Sequence, residues 1–141
     1  MVNKIAQQIT GSLPVVNATE TVILTTNAYT YDYPNVFVGT EHAGSGQGVT
    51  ISGVVDVNPV GTAGTAATIR VRQGSISGTV VSVAESETVA AGNAYAIPYE
   101  ALDTTRWAAQ VGGGVWVVTI QFTAATANST VVNVTADVEG A

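Results

Sequence analysis

Hydrophobic and polar residues alternate with a period of two along several stretches of this chain. In Val115–Thr123 the large apolar side chains occupy every second position, and Thr130–Val138 repeats the pattern with valine and alanine. A period of two places alternate side chains on opposite faces of a β-sheet. Segments of this kind, rich in β-branched residues and separated by glycine, proline and asparagine, predict eight strands: Glu20–Thr26, Asn35–Glu41, Val49–Val57, Ala66–Gln73, Thr79–Ala84, Ala94–Tyr99, Val115–Thr123 and Thr130–Val138.

Eight short strands in a chain of 141 residues predict a single all-β domain, either a β-sandwich or a barrel. With the alternation of their side chains, we predict a jelly-roll-like antiparallel β-sandwich. Helical periodicity is nearly absent, and one helical turn finds room only between Glu100 and Gln110, where Asp103 would cap it. The first nineteen residues are more polar than the rest. We therefore divide the chain into an N-terminal arm, residues 1–19, extended or partly helical and outside the sandwich core, and a β-sandwich domain, residues 20–141.

The charge content restricts the partners of this fold. Only 10% of the residues are charged, and four Lys and Arg stand against ten Asp and Glu, which gives a net charge of −6. Such a chain lacks the basic surface of a nucleic-acid binder, and anionic membranes are disfavoured for the same reason. No run approaches the roughly 20 apolar residues of a membrane span, and no apolar block of a signal peptide is seen. We expect a protein made in a cytoplasm, with no nucleic-acid or membrane partner, whose weakly charged surface is partly covered by another protein.

Few residues in the chain could carry catalysis. The absence of cysteine excludes disulfides, thiolate metal sites and a thiol nucleophile. The single histidine, His42, has no nucleophile motif beside it and fits a solvated loop. Glu85 and Glu87 would share one strand face and could touch a calcium ion with a third oxygen ligand, although a solvated turn explains them as well. We therefore predict no enzyme activity, no catalytic residue, no cofactor and no metal site.

Three tyrosines, Tyr29, Tyr31 and Tyr33, alternate in one short segment, so an extended backbone would present all three on one side. Tyrosine provides a large contact area at small entropic cost, which suits a protein interface, and its ring also stacks on sugar rings. Packing against the protein's own core is the third interpretation. Of the two tryptophans, Trp116 lies on an apolar strand face and is expected in the core.

Two further sets of residues are candidates for partner binding. Arg70 and Arg72 carry two of the four positive charges and share one strand face, where they either pair with acidic groups of a neighbouring subunit or solubilise an exposed surface. In the arm, Ile5, Ile9 and Leu13 are spaced so that they could lie on another protein surface. We therefore predict that partner binding involves the arm, the tyrosine segment and the arginine face.

A resemblance to a known family is carried by the polar arm before Glu20 and by the segments Val49–Val57, Ala67–Gly74 and Val115–Phe122. In these features the chain resembles the bacteriophage head decoration (cement) proteins of jelly-roll type. The likeness is one of architecture and composition and extends over most of the chain. Proteins of that family sit as trimers on threefold positions of the capsid and clamp neighbouring major capsid subunits. The resemblance implies a structural virion protein at the capsid surface, a homotrimer that binds the major capsid protein and stabilises the phage head.

A second interpretation comes from another class of protein. The chain could be a carbohydrate-binding β-sandwich module with the three tyrosines as its platform, or a receptor-binding fragment of a head fibre or tail spike. A gene beside that of a major capsid protein favours the decoration protein, whereas a gene beside glycosidases favours sugar binding.

Overall fold

In the computed structural model, the chain forms two antiparallel β-sheets. The structure describes residues 4–10, 15–16, 18–26, 49–60, 65–89, 95–103, 114–122 and 128–140. Within these residues there are nine strands: β1 (Lys4–Thr10), β2 (Val15–Val16), β3 (Thr21–Thr25), β4 (Val49–Val60), β5 (Thr65–Gln73), β6 (Val80–Val89), β7 (Tyr95–Asp103), β8 (Trp116–Phe122) and β9 (Asn128–Gly140). The predicted all-β antiparallel sandwich is confirmed.

The strands differ from the predicted ones at a few places. Glu100 to Asp103 continue β7 instead of starting a helical turn, because the alternation of buried and exposed side chains runs on to the end of the strand. The remainder of the predicted helical segment, residues 104–110, and the predicted strand Asn35–Glu41 lie outside the described residues. Within the described part of the chain, no helix has the length and apolar character needed to cross a bilayer.

Strand pairing follows a nested pattern. Sheet A contains β1, β9, β4 and β7 in that order, with β2 also pairing with β9, and sheet B contains β3, β8, β5 and β6. The pairs β5–β6, β4–β7, β3–β8 and β1–β9 each enclose the one before, as in one long antiparallel ribbon. Successive pairs fall on alternate sheets, and contacts between neighbouring turns of the ribbon give the β4–β9 and β5–β8 ladders. This is the arrangement of a jelly roll.

Part of the predicted arm belongs to this pattern. Lys4–Thr10 forms β1, which pairs with β9 over its whole length, from Lys4 opposite Glu139 to Thr10 opposite Asn133. The two residues of β2 pair with the beginning of β9. Residues 4–10 are therefore an extended edge strand of sheet A, while the division of the chain at residue 19 stays a prediction.

The space between the sheets is filled with apolar side chains. The alternate positions predicted to share a face do so, since Trp116, Val118, Ile120 and Phe122 of β8 are all buried, as are Val134, Ala136 and Val138 of β9. Trp116 has no exposed surface, which confirms its predicted place in the core. Burial of this set drives the two sheets together through the hydrophobic effect.

A buried carboxylate joins the two sheets at one end of the core. Asp103, at the end of β7 in sheet A, is 2% exposed. Its Oδ2 accepts a hydrogen bond from the indole Nε1 of Trp116 at 2.9 Å and another from Nε2 of Gln73 at 2.8 Å. Trp116 and Gln73 are directly opposed on β8 and β5 of sheet B. One carboxylate thus fixes two strands of the opposite sheet.

A glycine and a tyrosine shape the middle of sheet A. The β4–β9 register omits Gly53 and Val54, and side chains bond across the gap. Oγ1 of Thr135 accepts a hydrogen bond from the amide of Val54 at 3.0 Å, and the hydroxyl of Tyr99 donates to the carbonyl of Thr135 at 2.7 Å. Burial raises the pKa of Tyr99, and the nearby Asp137 charge adds to the effect, so the hydroxyl stays protonated and remains a donor. A Cβ on Gly53 would overlap the Thr135 carbonyl.

The glycine requirement can be tested with G53A. Because the added methyl group meets backbone and not a flexible side chain, the strands must separate, and we expect the free energy of unfolding to fall by at least about 2 kcal/mol. Ser52→Ala, at the adjacent half-buried position, should change it by less than about 0.5 kcal/mol. Urea denaturation of both variants checks this, and equal stabilities would contradict it.

The buried carboxylate generates a second prediction. Asp103→Ala removes the buried acceptor of two hydrogen bonds, from the indole N–H of Trp116 and from the Gln73 amide, so the free energy of unfolding should fall by about 3 kcal/mol. Glu100→Ala removes an exposed carboxylate from the same strand and serves as the matched control. Thermal denaturation should separate the two variants. Equal thermal stabilities of the two variants would contradict the prediction that the Asp103 hydrogen bonds stabilise the fold.

Candidate partner-binding site

The outer face of sheet B carries the polar side chains of two paired strands. Along β5 and β8, Ile69, Val71, Val118 and Ile120 point into the core. The intervening residues therefore lie on the opposite face. The register sets Arg70 opposite Thr119, Arg72 opposite Val117 and Thr68 opposite Gln121.

Glu20 stands at the centre of this face, in the segment that leads into β3. Its carboxylate accepts hydrogen bonds from Nε of Arg72 to Oε2 at 2.6 Å and from Nη2 of the same guanidinium to Oε1 at 2.9 Å. This is the bidentate geometry that makes arginine–carboxylate pairs strong. Nη1 of Arg70 reaches Oε1 at 3.3 Å, and the hydroxyl of Thr119 donates to Oε2 at 2.8 Å. We call Glu20, Arg70, Arg72, Thr119 and Gln121 the Glu20 cluster.

The cluster changes the acidity of its central group. The hydrogen bond from Arg72 lowers the pKa of Glu20 below its ordinary value of 4.5, with further lowering from Thr119 and from the charges of both arginines, against an opposing effect of burial. The same pairing raises the pKa of Arg72. Glu20 is therefore ionised at neutral pH, and its side chain is only 16% exposed.

The cluster also explains why both faces of β8 are buried. Thr119 has no exposed surface and Val117 only 3%, although both point away from the core. The Glu20 carboxylate binds Thr119, and Arg72 lies opposite Val117. Long arginine side chains cover the strand beneath them with their aliphatic portions.

A small open pocket of about 250 Å³ lies beside the cluster, lined by Ala18, Thr68, Arg70, Gln121 and Phe122. Gln121 links the pocket to the cluster, since its Oε1 accepts a hydrogen bond from Nη1 of Arg70 at 2.8 Å. Its amide nitrogen donates to the carbonyl of Ala18 at 2.9 Å. Two hydrogen bonds hold the Gln121 side chain, so this wall of the pocket is fixed in position.

The residues predicted to bind a partner are distributed unevenly. The structure brings Arg70 and Arg72 together on one face as expected, and it places their acidic partner, Glu20, in the same chain. Ile5 and Ile9 lie on β1, at register positions opposite Val138 and Val134. Leu13 and the tyrosines Tyr29, Tyr31 and Tyr33 lie outside the described residues.

Glu20 was missed as a site residue. Along the sequence it is one of several dispersed carboxylates, 50 residues away from Arg70. The signal that identifies it is strand order, because β3 pairs with β8 and β8 pairs with β5, which brings the start of β3 near the arginines.

The carboxylates proposed as an alternative calcium site lie on one strand. Glu85 and Glu87 both belong to β6, where they stand opposite Ile69 and Ala67. Among the residues that the structure describes, no group of three Asp, Glu or His side chains is placed to hold a metal ion.

The fold has counterparts among solved structures. No protein-family model and no curated protein matches the chain. A chain of infectious bursal disease virus, Gt strain, is 11% identical with a TM-score of 0.55, and the match covers 99% of this chain and 32% of the viral one. A chain of the Gx strain is also 11% identical, with a TM-score of 0.50 and coverage of 99% and 36%. This chain thus spans about a third of the viral chains, and at such identities the likeness shows the fold alone.

A third match is to a chain from Bacillus endospore appendages, which are disulfide-linked pili. It is 18% identical, with a TM-score of 0.41, over 99% of this chain and 86% of that one.

The Glu20 cluster predicts a specific dependence of stability on pH. Because the pKa of Glu20 is lower in the folded chain than in the unfolded chain, its contribution is complete above 4.5 and is lost as the pH falls towards the folded value. Glu20→Gln should lower the free energy of unfolding by about 1–3 kcal/mol at pH 7. The difference from the natural chain should shrink below pH 4.5. Urea denaturation across this range measures it, with Glu100→Gln, an exposed carboxyl, as control; a difference that does not vary with pH would contradict the assignment.

Proposed function

We propose that this chain is a structural protein of a virus particle, a decoration protein that binds and stabilises the capsid of a bacteriophage head by contacting the major capsid protein. It acts without catalysis and assembles as a homotrimer on the capsid surface. Its contribution is buried contact area between neighbouring subunits.

The observation that carries the proposal is the jelly-roll pairing of the strands, in a fold that matches a chain of infectious bursal disease virus with a TM-score of 0.55. Jelly rolls recur in viral capsid domains and in lectins. The argument from fold to function is one of analogy. The weakly charged composition supports it, because a protein that works by shape and apolar contact needs few charges.

The edge of sheet A supplies a means of attachment. Among the described strands, β1 pairs with β9 on one side only. The other side of an edge strand presents backbone N–H and C=O groups that can pair with a strand of another protein. Three copies of this edge in a trimer would bind together, and avidity would make weak single contacts durable.

The proposal is tested by co-sedimentation of the purified protein with phage heads that lack it. We expect saturable binding, a native mass three times the 14.3 kDa of the chain, and heads that withstand higher temperature once decorated. Deletion of residues 2–10 removes β1 and should weaken binding by more than about tenfold. The far-ultraviolet circular dichroism of that variant should remain that of a β protein.

The matched control removes an exposed apolar group elsewhere. Ile76→Ser changes a side chain that is 42% exposed in the turn between β5 and β6, and it should bind heads like the natural chain. Failure of the natural chain to bind any head, together with saturable binding to a polysaccharide, would replace the decoration protein with the sugar-binding module.

A further inference from the structure

The two arginines of the Glu20 cluster are used differently. Arg72 donates from all three nitrogens, with Nη1 bonded to the carbonyl of Gly78 at 3.0 Å in addition to its two bonds with Glu20. Arg70 donates from Nη1 alone, to Glu20 and to Gln121. Its Nε and Nη2 have no acceptor among the residues that the structure describes. Three of the five N–H groups of Arg70 therefore have no acceptor within the described part of the chain.

The charges of the cluster do not balance. Two guanidinium groups face one carboxylate, so the described cluster carries one positive charge in excess, in a chain whose net charge is −6. The side chain of Arg70 is only 23% exposed, so water screens this excess less than it would at an open surface. An anion that reached Arg70 would meet a partly desolvated charge.

The pocket lies where such an anion would bind. Arg70 forms one wall of the pocket, with Thr68 and Gln121 beside it. The volume of the pocket is about 250 Å³. Since a water molecule in the liquid occupies about 30 Å³, the space holds a carboxylate with one or two methylene groups. Ala18 provides apolar surface for those methylenes.

We infer that this pocket binds the carboxylate of an Asp or Glu side chain from a neighbouring protein molecule, with Nε and Nη2 of Arg70 as the donor pair. A guanidinium edge matches a carboxylate in the bidentate arrangement that Arg72 already forms with Glu20. A polyanion is disfavoured, because one excess positive charge cannot offset repulsion from a chain of net charge −6. The inference rests on the proposed function only in one respect, that the neighbouring protein molecule is encountered on the capsid.

The pocket itself is tested without any capsid. The full chain is titrated with a short, end-blocked and otherwise uncharged peptide that contains one glutamate, and the NMR signals of the Arg70 Nε–H and the Gln121 side-chain amide are followed. We expect saturable shifts with the glutamate peptide, and no shifts with the same peptide in which glutamine replaces glutamate. Equal shifts with the glutamine peptide or with chloride, or stronger binding of inorganic phosphate, would overturn the assignment.

Two substitutions remove the site in different ways. Arg70→Gln deletes the donors, and Gln121→Glu places a carboxylate where Oε1 already receives Nη1 of Arg70, so the excess charge is neutralised within the chain. Each should weaken peptide binding by more than about tenfold. Lys4→Gln, which removes one positive charge from sheet A, should not weaken it. Circular dichroism confirms that each variant is folded, and undiminished binding by folded Gln121→Glu would contradict the inference.

The source of the carboxylate is then identified with the same variants. If a second copy supplies it, Gln121→Glu lowers the native mass of the assembly; if the capsid supplies it, the mass is unchanged and binding to heads falls. A chain that binds the glutamate peptide but no head would refute the proposed function and leave the pocket intact. A chain that binds heads but not the peptide would refute only the pocket.

Discussion

The buried carboxylate of Asp103 fixes the relation between the two sheets. Contacts between apolar side chains bring the sheets together, but they are not directional and allow them to slide. The hydrogen bonds from Trp116 and Gln73 to one oxygen of Asp103 define a single position. Gln73 follows Arg72 on β5, so the strand held from inside by Asp103 carries the Glu20 cluster on its outside. The geometry of the outer face thus depends on a bond made in the core.

Local sequence predicts the strands that bury one face, because burial imposes a period of two on their side chains. β5, β8 and β9 were found for that reason, with ends within two residues of those observed. β1 was missed as a strand, since an edge strand is held by its backbone and its sequence, KIAQQIT, needs no apolar stripe. The end of β7 was misjudged because Asp103, a common helix cap, is here a buried acceptor.

The candidate site shows the same limit. Alternation places Arg70 and Arg72 on one face from sequence alone. Their partner Glu20 can be identified only when the order of β3, β8 and β5 in sheet B is known. That order is a property of the folded ribbon, in which contacts join residues far apart along the chain.

The nested pairing has a consequence for the order of events during translation. The innermost pair, β5–β6, joins neighbouring segments, whereas the outermost pair joins Lys4 with Glu139. All four strands of sheet B emerge from the ribosome before β9 does. Until β9 emerges, sheet A lacks the strand that lies between β1 and β4. A nascent chain therefore exposes one side of β4 as an unpaired edge, open to strands of other chains, until residues 128–140 emerge.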